Sequence, residues 1–180
     1  MDEHTDGTIR RGELLTLVQP SVRRRAYELR RGDQVVGSLR FRAGRRSEAL
    51  AELDGAGPLA LVASGGLVAV TRAGGVMVAS VERRRGGSAI VQPAGGPAFH
   101  WRRSGRWHRW AMGDGDQVAL SFTASQGLLR SSVRVTAERS LAWPAGGLLC
   151  LIGAFLALHV LQAEVDASAG IGGIVAAGAG

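Results

Sequence analysis

Lysine is absent from this 180-residue chain, and all 22 of its basic residues are arginine. The absence excludes the phosphate-binding lysine of a Walker A loop, a Schiff-base lysine and a lysine general base. Several large classes of enzyme are therefore excluded by composition alone.

Cysteine is almost absent as well. The single cysteine, Cys150, cannot form an internal disulfide and lies within an apolar stretch, which indicates a buried thiol in a reducing compartment. The N-terminal stretch MDEHTDGTIRRGELL is acidic and has no apolar core, so we do not expect it to act as a secretory signal. We therefore expect a cytoplasmic protein, peripheral at the inner membrane surface if it binds lipid.

Motifs for catalysis and metal binding are missing too. The chain has no Gly-x-Ser-x-Gly elbow and no His-Glu-x-x-His motif. Its histidines have no zinc-ligand spacing with the lone cysteine, and they are His4, His100, His108 and His159. The run GDGDQ at Gly113–Gln117 is typical of a hairpin turn. We expect no enzyme, no cofactor and no metal site.

The chain is rich in alternating apolar and polar residues. In AYELRRGDQVVGSLRF, the alternation predicts a hairpin that turns at Arg31-Gly32-Asp33 and has one apolar face. That face is predicted to contain Tyr27, Leu29, Val35, Gly37, Leu39 and Phe41. About a dozen such strands are predicted between Glu13 and Thr136 by the same alternation. The sequence thus predicts a mostly β, antiparallel fold.

One helix is predicted after the strands. The stretch WPAGGLLCLIGAFLALHVLQ favours a helix from Pro144 to about Gln162, since proline suits the first helical turn. The uncharged helix would be roughly 30 Å long, which is enough to cross a bilayer. Its large apolar side chains favour insertion by roughly 3–5 kcal/mol, whereas its glycines, His159 and Pro144 oppose insertion. Hydropathy permits a membrane span without requiring one.

The predicted strands suggest an alternative location for the helix, inside a β-barrel. A barrel of about eight strands is filled by its own side chains, but a dozen strands would leave a wide apolar interior. A helix that is apolar on all sides would fill that interior, and Gly146, Gly147, Gly153 and Ala157 would allow close approach. We predict a closed antiparallel barrel of about twelve strands with the hydrophobic C-terminal helix buried inside it.

The predicted organisation has three parts. Residues 1–12 form a polar lead, and residues 13–162 form a single barrel domain that includes the central helix at about 144–162. Residues 163–180 form a Gly/Ala-rich tail that has little to pack against and is expected to be loosely attached.

This architecture resembles the tubby-like superfamily, which includes the phospholipid scramblases and the LURP-one-related proteins. YELRRGDQVVGSLRF is similar to the early hairpin of the LURP-one-related branch, FHWRRSGRWHRWAMGDGDQVALSF to its mid-barrel hairpin, and LLCLIGAFLAL to its closing helix. The resemblance covers roughly Glu13 to Gln162 and implies association with lipid or phosphoinositide. No tubby-type basic pocket can be aligned, and RSSVRVTAERS is not the acidic calcium segment of scramblases. No functional residue is therefore transferred.

Arginine clusters are the candidate contact sites. Guanidinium groups bind phosphate oxygens bidentately, and interleaved tryptophans suit a lipid headgroup layer or stacked bases. The candidate residues are Arg23, Arg24, Arg25, Arg83, Arg84, Arg85, Trp101, Arg102, Arg103, Arg106, Trp107, Arg109 and Trp110. The alternative is a solvated barrel exterior without a ligand.

The function favoured by these patterns is a non-catalytic barrel domain of the tubby-like or LURP-one-related type. Its expected partner is an anionic phospholipid or a membrane surface, contacted through the arginine clusters. Two alternatives stay open: a cytoplasmic β domain anchored by one transmembrane helix at 144–162, and a barrel that binds nucleic acid. The sequence does not indicate an oligomeric state.

Overall fold

The computed structural model describes residues 7–21, 25–42, 45–105, 108–127 and 130–176, with the backbone alone at 45, 46, 166 and 168–176. The described elements are β1 (Thr8–Ile9), β2 (Leu14–Val18), β3 (Ala26–Arg31), β4 (Gln34–Arg42), β5 (Arg45–Leu53), β6 (Gly57–Ser64), β7 (Leu67–Arg72), β8 (Met77–Arg83), β9 (Ala89–Pro93), β10 (Phe99–Arg103), β11 (Arg109–Asp114), β12 (Gln117–Gln126), β13 (Ser131–Ala137), β14 (Leu141–Ala142) and α1 (Ala145–Ala176).

Strands β2 to β13 form a closed antiparallel barrel of twelve strands. Each strand pairs with its neighbours in sequence, and β13 pairs with β2 to close the ring. Strands β1 and β14 form a separate two-stranded sheet. The prediction of a mostly β, closed twelve-stranded barrel is confirmed.

The alternation in the sequence decides which side chains face the barrel interior. Leu15 and Leu17 of β2 are buried, as are Val133 and Val135 of β13, because successive residues of a strand point to opposite faces. The predicted turn at GDGDQ is also confirmed, since β11 ends and β12 begins around Gly115, whose φ is 57°. A positive φ of this kind is what the glycine of an Asp-Gly hairpin turn supplies.

A β-bulge changes the predicted facing of β4. Leu29 pairs with Gly37 whereas Arg30 pairs with Val35, so the ladder skips Val36. Val36 is therefore buried at 2% exposure, and Val35, which was predicted to face inward, is 45% exposed. The strict two-residue alternation cannot include the extra residue that a bulge inserts.

Helix α1 passes through the interior of the barrel. It begins directly after Pro144, and every residue from Gly146 to Leu158 except Leu148 is buried. The barrel interior packs around the helix side chains Leu149, Cys150, Leu151, Ile152, Ala154, Phe155, Leu156, Ala157, Leu158 and Leu161. The prediction of a buried hydrophobic C-terminal helix is confirmed.

The described elements extend beyond the predicted bounds at both termini. The helix continues to Ala176 rather than ending near Gln162, and no proline interrupts the segment that follows. At the other end, Ile9 of the predicted polar lead is fully buried and contacts the hydrophobic core. Its burial depends on pairing with Leu141 of β14, a partner too distant in sequence for local patterning to indicate.

Glycine allows the helix and the barrel wall to approach closely at one point on the barrel axis. A Cβ atom at Gly153 would overlap the ring of Phe122, which projects from β12 and is itself only 1% exposed. The predicted role of Gly153 is therefore confirmed, because an added methyl group would have no space without movement of the ring.

Gly153→Ala is expected to lower the free energy of unfolding by about 1–3 kcal/mol, the usual cost of overpacking a filled core. This loss exceeds the gain of up to about 1 kcal/mol in helix propensity. Urea denaturation of the variant measures the change. The double variant Gly153→Ala/Phe122→Leu should lose less than the sum of the two single variants, since leucine vacates the space. A stabilised Gly153→Ala protein would contradict the packing.

The reactivity of Cys150, which lies in α1, tests whether this helix is buried. Burial raises the pKa of Cys150 to about 12, so the thiolate that reacts with alkylating agents is nearly absent at neutral pH. Cys150 should resist iodoacetamide in native, detergent-free buffer and react promptly in denaturant, as followed by mass spectrometry. Rapid labelling of the native protein would mean that the helix leaves the barrel.

Candidate functional site

The antiparallel topology brings the arginine clusters to one end of the barrel. Every even-numbered barrel strand ends there and every odd-numbered barrel strand begins there. Arg25 directly precedes β3, Arg83 ends β8, Arg103 ends β10 and Arg109 begins β11. We call this the arginine end, defined by Arg25, Arg83, Arg84, Arg85, Arg102, Arg103 and Arg109.

Sequence reasoning missed other arginines at the same end. Arg42 ends β4, Arg45 begins β5 and Arg130 directly precedes β13. The missed signal was the strand direction: in a ring of antiparallel hairpins, alternate turns all lie at one end. The opposite end has mixed charge, since it contains Asp33 and Asp116 as well as Arg11 and Arg72.

Several carboxylates near the arginine end already have an arginine partner. Arg42 Nη1 lies 2.9 Å from a carboxylate oxygen of Glu48, and Arg84 Nε lies 3.8 Å from Glu82. Arg102 and Arg109 are exposed and form no ion pair with the residues that the structure describes. Positive charge therefore remains available to an external anion.

Arg83 differs from the other described arginines of its cluster. It continues the inward-facing series of Ala79 and Val81 along β8 and is partly buried, whereas Arg84 and Arg85 are exposed. The predicted contacts Arg23, Arg24, Arg106 and Trp107 lie outside the described residues.

Two predicted tryptophan contacts lie inside the barrel. Trp101 and Trp110 are 2% and 0% exposed, and their rings stack at 5.4 Å between centroids. This burial contradicts the prediction that they meet a headgroup layer or stacked bases. In sequence they alternate with Arg102 and Arg109, but alternation along a strand places neighbouring residues on opposite faces.

Helix α1 leaves the barrel at the arginine end. Arg103 Nη2 donates a hydrogen bond of 2.6 Å to Glu164 Oε1, and the Nδ1 atom of His108 lies 3.5 Å from Glu164 Oε2. These contacts connect the emerging helix to the end of β10 and to the residue that precedes β11. The arginine end therefore surrounds a helix whose backbone continues outward to Ala176.

A cavity of about 440 Å³ lies beside the emerging helix, between α1, the β8–β9 turn and the end of β10. Its lining is mainly apolar and includes Trp101, Leu156 and Val160, with Arg83 and His159 among the polar residues. Burial lowers the pKa of the Arg83 guanidinium. Burial, followed by the charge of Arg83, lowers the pKa of His159, so this imidazole is neutral at neutral pH.

The cavity is bordered by residues with unused hydrogen-bond donors. Arg83 Nη2 and Trp101 Nε1 are buried and have no hydrogen-bond partner within the described part of the chain. Such donors are rare in folded proteins because each costs free energy when it loses water without gaining an acceptor.

Metal-ligating side chains do not gather in this region. Across the described residues, no group of three or more histidine, cysteine, aspartate or glutamate side chains lies close enough to hold an ion. What the site offers is cationic and apolar surface.

Comparison of the chain with protein-family models, with curated proteins and with solved structures finds no match.

Proposed function

We propose that the chain is a non-catalytic barrel domain that binds an anionic membrane surface peripherally through its arginine end. The observation that supports this proposal is the convergence of the arginine clusters around the exit of α1. The cytoplasmic leaflet is the natural partner, because it carries the anionic lipids that attract basic surfaces.

The clustering matters because electrostatic attraction to a membrane acts over a short distance. The Debye length is about 10 Å at 0.1 M salt, so arginines on the far side of the barrel would contribute little. Each basic residue near an anionic leaflet is worth about 1 kcal/mol. Arg84 and Arg103 are already paired with carboxylates. The other exposed described arginines of this end would together contribute about 4 kcal/mol, which is enough for reversible binding; they are Arg25, Arg85, Arg102 and Arg109.

A peripheral mode is favoured over a transmembrane anchor. By length and composition Ala145–Val165 could cross a bilayer, but 61% of its most apolar window is buried within the barrel. Withdrawing the helix into lipid would expose the inward side chains of twelve strands to water, at a cost of about 25 cal/mol for each Å² of apolar surface.

Binding to nucleic acid is less well supported. Non-specific binding of single strands combines a basic groove with aromatic rings on which bases stack. Trp101 and Trp110 are buried, so the described part of the arginine end presents charge without those stacking rings.

We also propose that the chain is a divergent relative of the tubby-like superfamily. The closed twelve-stranded barrel around a C-terminal hydrophobic helix is the architecture that the resemblance implies. Lipid association in that group agrees with the proposed membrane contact, although the residues that carry it differ.

Vesicle co-sedimentation tests the membrane proposal. The protein should bind vesicles that contain phosphatidylserine, ignore vesicles of phosphatidylcholine alone, and dissociate at high salt. Arg102→Gln/Arg109→Gln should lower the partition coefficient about 30-fold, since two arginines contribute about 2 kcal/mol.

The matched control is Arg11→Gln/Arg72→Gln. It removes the same charge from exposed positions at the opposite end and should change binding less than threefold. Equal losses for the two double variants would show that net charge, rather than the arginine end, determines binding. Retention on phosphatidylcholine vesicles at high salt would also contradict the proposal.

Extraction distinguishes peripheral binding from a transmembrane anchor. Protein bound to membranes should be released by high salt or alkaline carbonate without detergent. Deleting residues from Pro144 onward should cause unfolding or aggregation, because the barrel loses the apolar contacts of α1. A truncated protein that stays folded, together with full-length protein that needs detergent, would favour the anchor.

A further inference from the structure

We propose that the cavity at the arginine end binds one medium-length acyl chain with an anionic head, the head at Arg83 and the chain against α1 and Trp101. This site lies inside the barrel mouth, and its lining does not include Arg102 or Arg109, two of the exposed arginines that would meet a membrane surface. It does not depend on the proposed peripheral function.

The shape and lining of the cavity suit an apolar chain. Its volume of about 440 Å³ lies within the range of ligand pockets, which are mostly apolar with a few placed polar groups. On the helix side, Leu156, Val160 and Ala163 line it at spacings of four and three residues, which place them on one face of α1. On the barrel side, Ala89 and Trp101 are paired residues of β9 and β10.

Arg83 provides the charge that an anionic head would neutralise. Its guanidinium is partly buried, and its Nη2 atom has no hydrogen-bond partner among the described residues. A buried charge without a counterion is costly, and a carboxylate or phosphate forms short, charge-assisted bonds with guanidinium. Arg84 also lines the cavity, but it is exposed and its Nε atom lies 3.8 Å from Glu82. Arg83 is therefore the partly buried cation positioned to hold an anion within the cavity.

Neighbouring groups leave Arg83 available. Glu164 also lines the cavity, but its carboxylate already accepts the bond from Arg103 Nη2 at 2.6 Å. His159 is neutral at neutral pH because burial lowers its pKa. Trp101 adds a second buried donor that has no acceptor within the described chain, and an oxygen of the ligand head would supply one.

The acyl anion has two sources, a free fatty acid or a membrane phospholipid. Isothermal titration of the full chain with decanoate, below the concentration at which it forms micelles, tests the first. Decanoyl lysophosphatidylserine, which has a single acyl chain of matching length and is also kept monomeric, tests the second. We expect saturable one-to-one binding of at least one of them with a Kd on the order of 10–100 µM. Binding of only one identifies the source, and binding of neither overturns the proposal.

A neutral head group tests the role of Arg83 without any mutation. Decanol has a matching chain but no charge, so the protein should bind decanoate at least tenfold more tightly than decanol. In Arg83→Gln that preference should disappear, while the matched control Arg85→Gln, which alters an exposed neighbour outside the cavity lining, should retain it. Equal affinity of the natural protein for decanoate and decanol would refute the assignment of Arg83.

A substitution that fills the cavity tests where the acyl chain of the ligand binds. Val160→Trp should fill the space beside Trp101 and abolish binding of decanoate and decanol alike, with the native fold checked by circular dichroism. Undiminished binding in the folded variant would place the ligand elsewhere and overturn the proposal. Arg102→Gln/Arg109→Gln should keep decanoate affinity even where vesicle binding is lost, so failure of either proposal is recognised separately.

Discussion

The structure depends on one physical requirement, that the interior of a twelve-stranded barrel be filled. Twelve strands enclose more space than their own inward side chains occupy, and an empty apolar lumen would forfeit the dispersion contacts that a packed core provides. Helix α1 supplies those contacts, since the inward residues of the strands and the helix form one hydrophobic core. Gly153 matters because the fit leaves no space beside Phe122 for even one methyl group.

The two ends of the barrel pack against the helix differently. The entry is tightly packed and stabilises the fold, whereas the exit has space for a ligand. At the entry, Trp143 Nε1 donates a 2.8 Å hydrogen bond to the carbonyl oxygen of Asp54. A Cβ at Gly146 would come within 2.9 Å of Ile9, so packing there is tight. At the exit, a cavity lies beside the helix, and the buried donors Arg83 Nη2 and Trp101 Nε1 have no partner among the described residues. The cavity and these donors therefore lie at the arginine end of the barrel.

Much of the fold could be predicted from the sequence because the relevant signals are local. Alternation identified the barrel strands, and the uncharged stretch around Cys150 identified the helix. Local patterning could not show the bulge at Val36, since a bulge depends on how two strands pair. It also could not show the burial of Ile9, which depends on a partner more than a hundred residues away.

The site was only partly predictable for a related reason. The residues Arg83, Arg84 and Arg85 form one cluster in the sequence, but the two-residue period of a strand turns Arg83 toward the lumen and the chain then leaves the strand at Arg84. The same period hides Trp101 and Trp110 behind arginines that face solvent. The cluster therefore has two exposed arginines, Arg84 and Arg85, and one arginine that faces the barrel interior, Arg83. The number of arginines in the sequence does not show which of them faces inward.

Arginine and lysine would behave differently at position 83, where the side chain is partly buried. A lysine desolvated to the same degree loses its proton readily, because burial disfavours the charged ammonium and its pKa lies closer to neutrality. Arginine keeps its charge under the same burial, although burial lowers the pKa of Arg83. Its planar fork can also donate two parallel hydrogen bonds to a carboxylate or phosphate. Arg83 would bind the charged head of an amphiphilic anion, and the apolar cavity beside it would bind the hydrocarbon chain. An inorganic ion would use only the first of these contacts, and a neutral hydrocarbon only the second.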